Sequence, residues 1–312
     1  MLSRTAANLY WIGRYMERAE FTTRLAEATL RLSSLSSGAQ AERAAWESAL
    51  KVVGEDESFA ATAENATPFN VTRWLLLSED NPNSVRSCLG IARDNARAAR
   101  NALTREGWEA INRAWLDLRG RTSPGGGQAA MGLIDTVKAD TRGFEGALSR
   151  MLRRESYWFM RLGSVIERGD NTARLVDVKY YLLLPEGERV GGTLDRDQWT
   201  TLLQTVSARN AYRLLYRDSL KPWLVADLLI FRPEMPRSLA ASSAKTVQLL
   251  SDLGGSSGRQ GEADRLARLR QSQLADADID RTFRSGLHEF LRAYIADNAA
   301  IHRSIAQQFR FG

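Results

Sequence analysis

The sequence predicts an all-α protein, built as an internally duplicated helical bundle, and three observations support this prediction. Apolar residues recur at alternating spacings of three and four along residues 9–30 and again along residues 159–180, which is the period of an amphipathic helix. The interruptions are short and rich in glycine or serine, at residues 33–40, 121–128, 185–193 and 254–261. The β-branched residues do not alternate over useful lengths, so no strand is predicted.

Two long helices are predicted from apolar stripes that match each other. The first stripe consists of Leu9, Ile12, Met16, Ala19, Thr23, Ala26 and Leu30. The second lies 150 positions further on and consists of Phe159, Leu162, Ile166, Gly169, Ala173, Val176 and Tyr180. A third stripe predicts one long closing helix and consists of Phe283, Leu287, Phe290, Tyr294, Asn298, Ile301 and Ile305.

Other landmarks repeat at nearly the same distance. Pro82 and Pro236, which mark predicted helix starts, are 154 positions apart, and Trp46 and Trp199 are 153 apart. We therefore predict two repeats of about five helices each, residues 1–150 and 151–312, packed as one domain and related by a pseudo-two-fold axis. Superposing the two repeats should match the helices that carry the equivalent apolar stripes.

The composition limits the function classes. The net charge of +6 and the pI near 9.7 are compatible with an anionic partner, but the excess is modest and no nucleic-acid module is recognisable. Arginine supplies nearly all the positive charge, which suits bidentate contacts to carboxylate or phosphate, although genome composition produces the same bias. No stretch has the length and apolar character of a signal peptide or a membrane span, so a cytoplasmic location is predicted.

A charged motif repeats along with the apolar stripe. Gly13, Glu17, Arg18, Thr22, Arg24 and Leu25 are identical to Gly163, Glu167, Arg168, Thr172, Arg174 and Leu175, and Glu20 corresponds to Asp170. Along each helix the charged positions are spaced by three and four, so they form a ridge beside the apolar seam. A duplicated fold keeps its apolar stripe because the same core positions have to be filled in both halves. Core packing does not explain why the charged ridge is repeated as well.

Two interpretations of this ridge remain open. In the first, Glu17 pairs with Arg168 and Glu167 with Arg18 across the axis, as a structural clamp. Glu20–Arg24 and Asp170–Arg174 are then ordinary pairs four residues apart. In the second, the two ridges line a shared cleft, where the arginines bind an anionic group and the carboxylates bind an amine or a metal ion; the two roles can coexist. We predict that at least one of Glu17→Gln and Glu167→Gln abolishes function with less than about 1 kcal/mol of stability lost, whereas in a clamp the change would cost about 3–5 kcal/mol.

A second candidate site is a row of arginines in the first half, Arg86, Arg93, Arg97 and Arg100. The equivalent stretch of the second half, residues 238–250, has no such row, so the duplicated fold does not require it. We predict that the row faces a concave or partner-binding surface, where alanine at Arg93 and Arg97 would weaken anion binding without changing the melting temperature. A solvated basic face is the alternative.

Several metal and nucleotide sites are excluded by residue type. A di-iron bundle needs histidine three residues after glutamate, but Glu17 and Glu167 are followed at that distance by Glu20 and Asp170. His288 and His302, predicted to be surface or capping residues, lie about 21 Å apart along a helix and cannot share a metal. Cys88, the single cysteine, is predicted to be a small buried hydrophobe. The glycine-rich residues 124–128 lack the lysine of a phosphate loop.

Five segments together resemble the Alpha-E family of bacterial helical proteins, named for a Glu-Arg motif. They are residues 11–20 (WIGRYMERAE), 161–174 (RLGSVIERGDNTAR), 81–84 (NPNS), 92–97 (ARDNAR) and 108–112 (WEAIN). The resemblance covers essentially the whole chain, because these motifs are widely separated and occur in order. Residues 233–238 (PEMPRS) depart from the asparagine-proline pattern, so no site residue is predicted there.

The resemblance implies a role beside an ATP-grasp enzyme. Members of the family are typically encoded next to, or fused to, a circularly permuted ATP-grasp protein of the carboxylate-amine ligase type, often with a transglutaminase-like peptidase. That partner would bind ATP and Mg²⁺, and no cofactor or metal is predicted in this chain. The implied function is an accessory subunit that binds the partner or an anionic, peptide-like substrate. The residues predicted to bind are Glu17, Arg18, Glu20, Arg24, Glu167, Arg168, Asp170, Arg174, Arg93, Arg97 and Arg100.

The main alternative is a stand-alone enzyme of peptide bond formation or cleavage. It would use Glu17 or Glu167 as a general base beside arginines that hold an anion. An open cleft with a perturbed glutamate would favour this alternative, whereas glutamates sealed in reciprocal ion pairs would weigh against it. A nucleic-acid binder is the least favoured class.

Overall fold

The computed structural model describes residues 1–35, 38–181, 192–258 and 260–311, and within these residues the protein is all-helical. The first half contains α1 (Ser3–Leu35), α2 (Ala39–Val53), α3 (Asp56–Ala60), α4 (Pro68–Leu76), α5 (Val85–Ala98), α6 (Arg105–Leu118) and α7 (Gly127–Ser149). A short 3₁₀ turn, Arg100–Ala102, separates α5 from α6. The predicted all-α class is confirmed.

The second half begins with the long helix that carries the repeated motif. It contains α8 (Glu155–Tyr181), α9 (Thr193–Thr205), α10 (Arg209–Tyr216), α11 (Pro222–Ile230), α12 (Leu239–Ser257), α13 (Glu262–Ala275), α14 (Ile279–Ser285) and α15 (Leu287–Gln308). Most of the predicted interruption at residues 185–193 lies outside the described residues. No described helix has the length and apolar character needed to cross a bilayer.

The helix count differs from the predicted five per half. The described residues contain seven α-helices before residue 150 and eight after it, because short helices such as α3 and α14 were not visible as periodic stripes. The predicted closing helix is broken at Gly286, whose φ of 109° lies in the left-handed region that favours glycine. This break separates α14 from α15.

Helices α1 and α8 form the centre of the fold. They pack along each other, while α5 and α7 cover α1, and α12 and α15 cover α8. Most of the predicted apolar stripe residues of α1 and α8 whose side chains the structure describes are buried at this centre, and Ile12 and Leu162, for example, are fully inaccessible. The predicted helix starts after Pro82 and Pro236 are confirmed, since α5 and α12 begin three residues beyond them. The N-caps of these two helices are the serines two residues beyond the prolines, Ser84 and Ser238. The repeated landmarks Trp46 and Trp199 are both buried.

Two glycines set the close approach of α1 and α8. A Cβ atom added to Gly13 would lie 1.9 Å from the carbonyl oxygen of Met160, and one added to Gly163 would lie 2.0 Å from that of Tyr10. Because backbone atoms occupy both places, no side chain fits at either position. The contact places the residues one turn further on, Glu17 and Glu167, against the opposite helix.

Candidate functional site

Glu17 lies on α1 and is buried, with 3% of its surface exposed. Arg168 of α8 donates to both of its carboxylate oxygens, from Nε at 3.0 Å and from Nη2 at 2.6 Å. Arg237, just before α12, donates from Nη1 to Glu17 Oε1 at 2.7 Å and from Nη2 to Glu20 Oε2 at 2.8 Å. Two guanidiniums therefore neutralise and hydrogen-bond this carboxylate.

Glu167 lies on α8 in the reciprocal arrangement and is 2% exposed. Arg18 donates from Nε to Glu167 Oε1 at 2.7 Å and from Nη2 to Oε2 at 3.3 Å. Arg14 donates from Nε to Oε2 at 2.6 Å. The predicted pairs Glu17–Arg168 and Glu167–Arg18 are thus confirmed as contacts, and each glutamate binds a second arginine that the sequence did not predict.

The second arginine comes from a different place in each half. Arg14 precedes Glu17 by three residues, and the equivalent position of α8 is Ser164. Arg237 has Asn83 as its equivalent, 154 positions earlier. Each glutamate is therefore bound by two arginines, but the second arginine comes from non-equivalent positions in the two halves. The one signal for Arg237 was the departure of residues 233–238 from the asparagine-proline pattern, which was interpreted as the absence of a site.

The arginines keep both glutamates ionised. Burial alone would raise the pKa of each carboxyl group, but Arg168 and Arg237 lower the pKa of Glu17 to about 2. Arg14 and Arg18 do the same for Glu167, whose pKa is also lowered to about 2. A general base must accept a proton near the working pH. With a pKa near 2, neither glutamate is suited to that role at neutral pH.

The outer charged pairs follow the predicted spacing of four along each helix. Arg24 Nε donates to Glu20 Oε1 at 2.8 Å, and Arg174 Nε donates to Asp170 Oδ2 at 2.7 Å. Arg24 Nη1 also donates to the hydroxyl of Ser207 at 2.7 Å. The residue of the first half that is equivalent to Ser207 is Gly54. Both residues have a positive φ, 57° for Ser207 and 71° for Gly54.

A pocket of about 240 Å³ lies beside Glu167, and we call it the motif pocket. Its lining includes Arg18, Asn83, Glu167, Asp170, Asn171 and Arg174. Four of the residues predicted to bind a ligand therefore meet in one place. The other predicted motif residues, Glu17, Arg168, Glu20 and Arg24, are engaged with Arg237 or with each other.

A second, positively charged pocket of about 310 Å³ lies beyond Arg24, and we call it the basic cleft. Its lining includes Arg24, Glu27, Arg31, Lys138, Ser207 and Arg209. Glu27 accepts from Lys138 Nζ at 2.6 Å and from Arg31 Nη2 at 2.8 Å. Arg209 is exposed and makes no ion pair with another described residue, so the lining has an excess of positive charge available to a ligand.

The four arginines of the row make separate contacts. Arg86 is bound to Glu79 and to the carbonyl oxygen of Arg121, and Arg97 pairs with Asp94 in solvent. Arg93 stacks on Trp115, with its Cζ 4.2 Å from the ring centre, and Arg100 stacks on Trp108 at 5.3 Å. None of the four lines the motif pocket or the basic cleft.

Arg93 also has a structural role, since its Nε donates to Asn112 Oδ1 at 2.7 Å. Its replacement by alanine would remove this bond and the contact with Trp115. These contacts weigh against the expectation that the change leaves the melting temperature unaltered, which stays a prediction. The binding role of the row stays a prediction.

The two histidines and the cysteine lie in separate environments. His288 contacts Asp177, with Nδ1 2.6 Å from Oδ1. His302 is partly buried, and its ring packs against Tyr10 and Trp11, a packing role that the prediction of a surface or capping residue did not include. Cys88 is fully buried as predicted, and burial raises the pKa of its thiol to about 12. The described residues contain no group of three or more His, Cys, Asp or Glu side chains that could hold a metal ion.

The buried ionisable groups make the free energy of unfolding depend on pH. Burial lowers the pKa of His302 from 6.5 to about 4, so between these values the unfolded state binds a proton that the folded state excludes, and His302 lowers stability as the pH falls. Asp140 acts in the opposite direction, because burial and the neighbouring Asp117 raise its pKa from 3.8 to about 6. Glu17 and Glu167 lower stability between pH 4.5 and about 2, so the free energy of unfolding in urea should decrease below pH 4.5.

A His302→Gln variant isolates the contribution of His302 from that of Asp140. Relative to this variant, the wild-type protein should lose free energy of unfolding between pH 6.5 and 4. A difference between the two proteins that stays constant over this range would contradict the assignment of His302 as a neutral, partly buried group.

Fold and site together define an all-helical protein whose two central helices exchange buried Glu-Arg pairs. A family model described as a predicted alpha-helical domain with a conserved ER motif matches residues 1–309. The chain therefore belongs to the Alpha-E family. Comparisons with curated proteins and with solved structures found no match.

Proposed function

We propose that the chain is an accessory binding subunit of an ATP-grasp carboxylate-amine ligase system that makes or attaches a peptide-like product. The ATP-grasp partner would supply ATP and Mg²⁺, and this chain would bind the partner, the substrate or both, in the bacterial cytoplasm. A transglutaminase-like peptidase would be a further partner. This proposal extends what the resemblance implies.

One observation supports a binding role over a catalytic one. Each motif glutamate is buried and hydrogen-bonded to two guanidiniums, with its pKa held near 2. The stand-alone enzyme would need one of these carboxylates as a general base, with a pKa close to the working pH. The geometry therefore supports binding through the pockets beside the motif, with the glutamates positioning the arginines.

The basic cleft is the part of this surface that suits an anionic substrate. Arg31 and Arg209 are exposed, while Arg24 and Lys138 are held in place by carboxylate or hydroxyl partners. Preorganised cations lose little entropy when they bind a carboxylate or phosphate. We propose that the cleft holds the anionic group of the peptide-like substrate or an acidic segment of the partner.

We also infer that the fold arose by internal duplication of residues 1–150 and 151–312, around a pseudo-two-fold axis between α1 and α8. Reciprocal contacts support this inference, at Gly13 and Gly163 and at the two glutamates. The prolines that begin α4 and α11, Pro68 and Pro222, are also 154 positions apart.

The test is co-purification of the full chain with its circularly permuted ATP-grasp partner, followed by a ligase assay with and without this chain. We expect a stable complex and a ligase that depends on it. The double variant Arg31→Ala, Arg209→Ala should weaken binding of the partner or the peptide-like substrate by at least tenfold, with little change in unfolding free energy because both side chains are exposed.

A matched control is Arg43→Ala, which removes an exposed arginine paired with Glu47 on α2, outside the basic cleft. It should leave binding unchanged. If the ligase is fully active without this chain, and the two proteins do not associate, the proposed function is wrong.

A further inference from the structure

The motif pocket lies where the other half of the protein holds an arginine side chain. In the second half, Arg237 reaches between Glu17 and Glu20 and donates to one oxygen of each. In the first half the equivalent residue is Asn83, whose shorter side chain accepts from Arg18 Nη1 at 2.5 Å and donates to Glu55 Oε1 at 2.7 Å. The place of the Arg237 guanidinium is left as open volume.

The acceptor atoms around this volume match those that bind Arg237. Glu17 Oε1 accepts from Arg168 Nε and also from Arg237, whereas among the described residues the equivalent Glu167 Oε1 accepts only from Arg18 Nε. Glu20 binds Arg24 through one oxygen and Arg237 through the other. Asp170 binds Arg174 through Oδ2, and its Oδ1 accepts no hydrogen bond from the described residues.

The pocket also contains polar groups without partners. Asn171 is more than nine-tenths buried and lines the pocket, and its Nδ2, which surrounding atoms shield from solvent, makes no hydrogen bond within the described part of the chain. The equivalent residue of α1 is the apolar Phe21. Arg174 Nη1 faces Gly54, whereas in the other half Arg24 Nη1 donates to the Ser207 hydroxyl. A ligand oxygen in the pocket would satisfy Arg174, and it would reach Asn171 Nδ2 after a small rotation of that side chain.

The charges favour a cation in spite of the arginines in the lining. Three of the five N–H groups of Arg18 already donate, to Glu167 and Asn83, so little of its donor capacity is left for an anion. The charged residues of the lining, Arg18, Arg174, Glu167 and Asp170, cancel one another, and Glu55 lies behind Asn83 as a further carboxylate. In the other half, the cation of Arg237 occupies the equivalent place beside Glu17 and Glu20.

We propose that the motif pocket binds a guanidinium or primary ammonium group, carried by a molecule about the size of one amino acid that also presents a carboxylate or carbonyl oxygen. The cation bridges Glu167 Oε1 and Asp170 Oδ1, as Arg237 bridges Glu17 and Glu20. The oxygen faces Arg174 and Asn171. This site is separate from the basic cleft, and the inference holds whether or not the chain serves a ligase.

The test is calorimetric titration of the isolated full chain with L-arginine, agmatine and L-citrulline. We expect one site per chain for L-arginine, weaker binding of agmatine because it lacks the carboxylate, and no binding of L-citrulline, whose urea group has the shape of guanidinium without its charge. Asn83→Arg should abolish L-arginine binding, because the new side chain fills the pocket as Arg237 does in the other half.

Asp170→Asn provides a second variant that does not fill the pocket, and it should weaken L-arginine binding at least tenfold. Glu47→Gln, which neutralises an exposed glutamate outside the pocket, should bind as the wild type does. Equal binding of L-arginine and L-citrulline, binding of inorganic phosphate in place of L-arginine, or unchanged binding by a folded Asp170→Asn variant would overturn the proposal. Because no ligase is present, failure here is distinct from failure of the proposed function.

Discussion

Replacing Gly13 with alanine should cost more than about 3 kcal/mol of unfolding free energy, at or above the upper end of typical overpacking costs. The new methyl group would lie 1.9 Å from the Met160 carbonyl oxygen, which is part of the α8 backbone and cannot rotate away. Helices α1 and α8 would have to separate, which would disturb both glutamate sites. Gly163→Ala should have a similar effect, since its methyl group would meet the Tyr10 carbonyl oxygen at 2.0 Å.

The matched control is Gly143→Ala on α7. Gly143 is exposed in the middle of a helix, and an added Cβ has no neighbour within 4 Å. Alanine there should raise stability by about 0.5–1 kcal/mol, because it reduces the entropy of the unfolded chain. Urea unfolding followed by circular dichroism measures all three variants. If Gly13→Ala is as stable as Gly143→Ala, the two helices do not make this contact.

Glu17→Gln should destabilise the protein by about 3–5 kcal/mol, the typical cost of leaving a buried charge without its partner. The amide keeps the shape of the carboxylate but removes the negative charge that faces Arg168 and Arg237. Its NH₂ group would also point a donor at guanidinium donors. Glu167→Gln should behave alike, because Arg14 and Arg18 face it in the same way.

An exposed ion pair supplies the comparison for Glu17→Gln. Glu47 pairs with Arg43 on the surface of α2, with 45% of its side chain exposed, and Glu47→Gln should cost less than about 1 kcal/mol because solvent screens the pair. The same urea series at pH 7 gives both values. A Glu17→Gln variant that loses no more stability than Glu47→Gln would show that the motif is not a clamp. That result would favour the interpretation of the motif as a ligand-binding cleft.

The clamp and the binding site are compatible in this fold. Burial of Glu17 and Glu167 fixes the arginines and the crossing of α1 and α8, while Asp170, Asn171 and Arg174 line the motif pocket. Arg18 and Glu167 belong to both, since they form one of the reciprocal pairs and also line this pocket.

Much of the fold and part of the site were determined by the sequence alone. The apolar stripes predicted α1 and α8 because burial along a helix follows its period. The motif spacing predicted Glu20–Arg24 and Asp170–Arg174, since residues four apart are neighbours on one helix. The reciprocal pairs were predicted from the repetition of Glu-Arg. The helical period and the spacing of four are local patterns, and the Glu-Arg motif is a local pattern that occurs twice. All three are visible in the sequence without knowledge of the fold.

Only the tertiary structure decided which further arginine completes each glutamate and where a pocket remains open. Arg14 and Arg237 bind Glu167 and Glu17 across 153 and 220 positions, and nothing in their local sequence marks these partners. The same holds for Asn83, whose short side chain leaves the motif pocket unfilled. Long-range contacts of this kind depend on the distance between crossing helices, which Gly13 and Gly163 set, and on the reach of side chains from loops whose paths no helical period encodes.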